Sequence, residues 1–154
     1  MQQADYTLIR DGFITKARTL TQYFVNSWQV SDDASSVNRG AKYMMILRPG
    51  AVPIAPMPGL QSKKIFRVSW QISFDLQVKY VSFKESWNEF TMLRDAVLNK
   101  FVFTMDPVIP GTYGIWDVSI TAPEPPGQQP PSGAPTWLGQ TLIATLVQQI
   151  DVSR

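Results

Sequence analysis

The stretch RVSWQISFDLQVKY, residues 67–80, alternates without interruption. Val68, Trp70, Ile72, Phe74, Leu76, Val78 and Tyr80 are apolar; Arg67, Ser69, Gln71, Ser73, Asp75, Gln77 and Lys79 are polar. A period of two predicts a strand with one dry and one wet face. Strands in globular proteins seldom exceed about ten residues. This one would reach roughly 45 Å at 3.3 Å per residue. Its length constrains the fold, because a partner layer must cover a long apolar face. The excess also suggests that part of the strand extends towards a projecting tip and serves a neighbouring molecule.

The rest of the chain supplies that layer. Ile9, Phe13, Ala17, Leu20, Phe24 and Trp28 recur at steps of three and four, predicting a helix over 5–28 with Asp5 as N-cap. Gly12 lies inside it at a cost of about 1 kcal/mol against alanine. A second helix is predicted over 83–100. Trp87, Phe90, Leu93, Val97 and Phe101 form its core stripe. Its start has two capping-box candidates, Ser82–Glu85 and Ser86–Glu89. AKYMMIL (41–47) reads as a strand buried on both faces or alternating imperfectly, and IWDVSIT (115–121) as an alternating strand. Leu138, Leu142, Leu146 and Ile150 suit a helix or a strand over 137–152; with Thr136 just before it, the stretch holds three threonines and four Ile/Val residues, which favour strand.

Two stretches are dense in proline. Four prolines between 49 and 58 exclude helix and central strand, leaving a stiff extended excursion with apolar Val52, Ile54 and Met57. Six between 123 and 135 predict a polyproline-like solvated loop. The expected order is α-β-β-α-β-β: an α+β two-layer sandwich, an antiparallel or mixed sheet of about four strands with two helices on one face. The 154 residues suit a single domain, 1–154, with projecting proline-rich loops at 49–62 and 122–136. The longest apolar run, YMMIL, is far short of the roughly 20 residues of a membrane helix, so no membrane partner is expected.

The chain contains no cysteine and no histidine. Thiolate nucleophiles, Cys/His metal sites and histidine acid–base chemistry are therefore excluded. Ser82-Phe83-Lys84 lacks Ser-x-x-Lys spacing, Asp32–Asp33 read as a solvated turn, and Glu85 and Glu89 belong to a helix's first turn. Gly111 and Gly114 bracket a turn without phosphate-loop context. No catalytic, cofactor-binding or metal-ligating residue is predicted, and the chain is not read as an enzyme. Nucleic-acid binding is disfavoured because Trp70 and Phe74 alternate away from Arg67 and Lys79, which leaves few cations on the wet face. The net charge of +2 is distributed as −1 over 1–38, +7 over 39–84 and −4 over 85–154. Opposite-sign regions suit head-to-tail self-association.

This succession resembles a known family. The helix DYTLIRDGFITKARTL, a long strand ending DLQVKY, the helix SWNEFTMLRDAVLNKF and the strand WLGQTLIATL are similar in order and character to tail terminator (head–tail joining) proteins of long-tailed bacteriophages. That resemblance implies a structural virion subunit of the tail or neck, assembled in the host cytoplasm. It implies a homo-oligomeric ring, commonly a hexamer, that caps the tail tube, with the tail-tube protein and a head–tail connector as partners. Arg48, Val52, Ile54, Met57, Lys63, Lys64, Arg67 and Lys79 are the residues expected at its interfaces. The alternatives are a nucleic-acid-binding or ligand-binding module, or another neck or baseplate subunit.

Overall fold

The computed structural model describes residues 5–22, 28–32, 41–48, 55–58, 65–104, 109–129 and 137–151. The chain runs α1 (Tyr6–Arg18), a 3-10 turn (Thr19–Gln22), β1 (Trp28–Ser31), β2 (Tyr43–Leu47), β3 (Ala55–Pro58), β4 (Ile65–Lys79), α2 (Phe83–Phe101), β5 (Ile115–Thr121), β6 (Gly127–Gln129) and β7 (Trp137–Asp151). It is an α+β fold with a mixed sheet, as the sequence predicts. The sheet path is β1-β2-β4-β7-β5, with β3 attached to β4 and β6 to β7. Three short strands, β1, β3 and β6, are additional to the four expected.

The spine is the antiparallel pair β4–β7, in register from Ile65↔Asp151 to Lys79↔Trp137. Fifteen paired residues give a ribbon of about 50 Å. Each long strand is flanked on its other edge by two short strands laid end to end. Along β4, β2 covers Phe74–Val78 and β3 covers Phe66–Ser69. Along β7, β6 covers Trp137–Gly139 and β5 covers Ile143–Gln148. The length of β4 therefore serves the sheet itself. Val68, Trp70, Ile72, Phe74, Leu76 and Val78 are all buried, so the reading of an overhang towards a neighbour is corrected. β1 joins β2 in parallel and makes the sheet mixed.

Both helices cover the same sheet face. Phe13 of α1 contacts Phe74 at 5.5 Å between ring centroids and stacks on Phe101 of α2 at 4.5 Å. Tyr6 lies 5.9 Å from Trp70. Ile9, Ala17 and Leu20 complete the α1 stripe, and Phe90, Leu93 and Val97 that of α2. β2 is buried at every residue. Tyr43, Met45 and Leu47 face the helices, whereas Met44 and Ile46 form a small cluster with Ala41 and Trp137 on the opposite face.

The first helix is shorter than its periodicity suggests. Regular α-structure ends at Arg18, where the Thr19 N–H bonds the Ala17 and Lys16 carbonyls and its hydroxyl donates to Lys16 C=O at 2.6 Å. Trp28, expected on the helix stripe, instead opens β1. It still meets α1, because its indole N–H donates to the Ala17 carbonyl at 2.9 Å. Phe24 lies outside the described residues. In α2, Ser82 is the N-cap and accepts from the Glu85 N–H. Ser86 is buried one turn in and accepts from the Val81 N–H at 3.0 Å. Trp87 departs from the core stripe: it is 37% exposed and stacks on Phe83 at 5.9 Å.

Candidate functional site

The residues predicted at interfaces do not converge on one patch. Arg67 and Lys79 are exposed and share the outward face of β4, the face away from the helices. Twelve residues separate them, about 40 Å along the strand. Arg67 stands opposite Met57 on one side and Gln149 on the other; Lys79 stands opposite Trp137. Met57 lies in β3 rather than in a free loop. Val52, Ile54, Lys63 and Lys64 lie outside the described residues. Each proline-rich stretch contains a paired strand, β3 or β6, so neither is loop throughout.

Arg48 follows β2, and its backbone N–H donates to Ser73 C=O at 2.9 Å. Its Nε donates to both Asp75 carboxylate oxygens, at 3.0 and 3.1 Å. Thr141 Oγ1 donates to Asp75 Oδ1 at 2.6 Å. This network ties β2, β4 and β7 together on the outward face. Asp75 has one polar position of an alternating strand, and it is the acid inside the basic middle of the chain. Its pairing makes Arg48 a structural group as well as a half-exposed one.

Lys42 is also paired: its Nζ lies 2.6 Å from Glu89 Oε1. The hydrogen bond to Glu89 raises the Lys42 pKa above the ordinary 10.5, opposed by partial burial. The basic middle is thus partly neutralised within the chain, a feature that charge counting missed because Glu89 lies 47 residues from Lys42. Spacing within a helix cannot reveal a pair made between helix and sheet.

Two buried amides were also invisible as functional groups in the strand pattern. Gln148 faces the core, accepts from the Trp70 indole N–H at 2.9 Å and donates to Tyr113 C=O at 2.9 Å. Gln140 donates to Glu124 C=O at 2.8 Å and holds the segment before β6 against the sheet. Its Oε1 has no hydrogen-bond partner.

The outward face of the β4–β7 ribbon is covered by neither helix. Along its middle lie Gln71, Ser73, Thr141, Ile143, Thr145 and Val147, small, branched or amide side chains that are half-buried or exposed. A groove of about 540 Å³ runs along the solvent side of α2, lined by Asn88, Thr91, Met92, Asp95, Ala96, Asn99 and Lys100. It brings together no nucleophile and base among the described residues. Among the described residues, no helix is long and apolar enough to cross a membrane, and no group of three acidic side chains is placed to hold a metal ion. The chain matches no protein-family model and no curated protein.

Proposed function

We propose that this chain is a structural virion protein, a tail terminator or neck subunit that forms a ring and joins a phage tail tube to the head. The observation that carries this reading is the outward face of the β4–β7 ribbon. It is about 50 Å long and uncovered by either helix, and the charge over its middle is that of the Arg48–Asp75 ion pair. A face of Ser, Thr, Gln, Ile and Val costs less to desolvate than a charged one when another protein covers it, and the paired ribbon loses little entropy. The succession of helix, long strand, helix and strand on which the resemblance rests is kept in the fold, with β1, β3 and β6 added to it.

In this reading the ribbon face meets a neighbouring subunit or the tube, and Arg67 and Lys79 mark its two ends. The chain is then one domain, and its work is recognition without catalysis. The test is polymerisation of a phage tail-tube protein in the presence of this chain, followed by electron microscopy. Stoichiometric addition of this chain is expected to shorten the tubes and to decorate one end. Tubes of unchanged length with bare ends would remove the proposal. Steep salt-dependent binding to DNA in the same preparation would favour a nucleic-acid-binding module instead.

A further inference from the structure

Four short strands present outward edges, and they are treated differently. The Arg48 N–H donates to Ser73 C=O and the Lys79 N–H to Lys42 C=O, both at 2.9 Å. Odd residues of β4 therefore direct their backbone groups towards β2 and β3, and even residues towards β7. The β4–β7 register pairs even with even, so odd residues of β7 face β5 and β6. The bond from Gln149 N–H to Gly114 C=O at 2.9 Å agrees.

This parity shows which edges can accept another strand. In β3, Ala55 and Met57 face β4 opposite Ser69 and Arg67, so the outward positions are Pro56 and Pro58, which have no N–H. In β1, the Val30 and Asp32 carbonyls accept from Arg18 Nη2 at 3.5 Å and Arg10 Nη2 at 2.6 Å, so α1 caps that edge. β6 has three residues and only Gln128 directed outward. In β5, Asp117, Ser119 and Thr121 bond β7 opposite Val147, Thr145 and Ile143. Val118 and Ile120 thus direct both N–H and C=O outward, and among the described residues no side-chain hydrogen bond or proline blocks them. Natural sheets blunt exposed edges, and an edge left open among closed ones is a pairing surface.

We propose that β5 pairs antiparallel with β5 of a second copy across a two-fold axis at Ser119. The closed chemistry of the other described edges leaves β5 as the complementary edge on the partner. The bulge between Ile115 and Asp117 limits the regular segment to 117–121, and centring on Ser119 uses all of it. Val118 then bonds the partner's Ile120 and Ile120 the partner's Val118, four backbone hydrogen bonds in all. Asp117 meets the partner's Thr121, so no like charges stand opposite. So few backbone bonds give a weak dimer that forms by mass action. The inference does not rest on the ring reading, because a two-fold contact does not close a ring.

The chain lacks cysteine, so a single introduced thiol reports the contact. Ser119 is a non-hydrogen-bonded position of the proposed pair, where side chains approach closely enough for a disulfide. In the same pair the two Asp117 positions are displaced by roughly 14 Å along the strands. Under mild oxidation Ser119→Cys is expected to form disulfide dimer at least about tenfold faster than Asp117→Cys. Adding Ile120→Pro to Ser119→Cys, which removes an outward donor and spares the backbone bonds to β7, is expected to abolish that advantage. Equal rates at 119 and 117, faster reaction at 117, or no dimer at millimolar chain would overturn the proposal.

Discussion

An alanine Cβ at Gly12 would lie 2.2 Å from the Pro110 carbonyl oxygen and 2.6 Å from the Ile109 side chain. The glycine that weakens α1 by propensity is thus required by a loop that packs on the helix. Gly12→Ala should destabilise by about 1–3 kcal/mol in urea unfolding, despite alanine's better helix propensity. An unchanged or higher midpoint would contradict this packing. Gln148→Leu should cost about 1–3 kcal/mol, because the Trp70 indole N–H and Tyr113 C=O both lose their partner in the core. Lys42 offers a test of sign. Its pKa is raised by Glu89, so its contribution is fully present below 10.5 and is lost as pH rises through the higher folded value. Lys42→Met should therefore cost at most about 1 kcal/mol near neutral pH, since the pair is partly exposed, with the difference from the parent shrinking only above about pH 10.5. A deficit that changes between pH 6 and 9 would contradict the pairing. None of these three sites was legible in the sequence. Each depends on a contact between residues far apart along the chain, and Gln148 occupies an apolar position of β7 with an amide.

At the scale of elements, alternation was the readable signal. It located β4, β5 and β7 within a residue or two, because one side of each strand is dry and the other wet. Capping chemistry located the start of α2 at Ser82. The short strands were not legible. β1 has four residues and its tryptophan continues the helical step from α1, so periodicity assigns it to the wrong element. β3 and β6 are held by backbone pairing with β4 and β7; β3 contains two prolines and β6 lies between proline clusters, so both read as loop. The same prolines and arginines give the edges their protection, which has a testable consequence. Arg10→Ala/Arg18→Ala uncovers the outward carbonyls of β1. The double variant should lose little stability, about 1 kcal/mol or less, yet aggregate faster on concentration or mild heating. Light scattering checks this, and a variant as soluble as the parent would show that the arginines do not guard the edge.

Over the whole molecule, the fold class was readable and the surface was not. Two helices and a mixed sheet follow from amphipathic stripes and alternation, since burying those faces against one another leaves few arrangements. The candidate interface was less readable, because charge counting treats every cation as available. Arg48 is engaged by Asp75, which the +7 already counts, and Lys42 by Glu89 from outside the region, so the surplus of the middle region falls by one. The surface that stands out is instead the low-charge outward face of the ribbon, which composition cannot locate. If that face assembles the chain into a ring, Thr145→Glu at its centre should disrupt assembly while leaving the unfolding midpoint within about 0.5 kcal/mol of the parent. The most direct measurement is the solution mass by light scattering at micromolar concentration, alone and with tail-tube protein. A closed oligomer of ring size, hexameric in the simplest case, is expected under at least one of the two conditions. A strict monomer under both would contradict it.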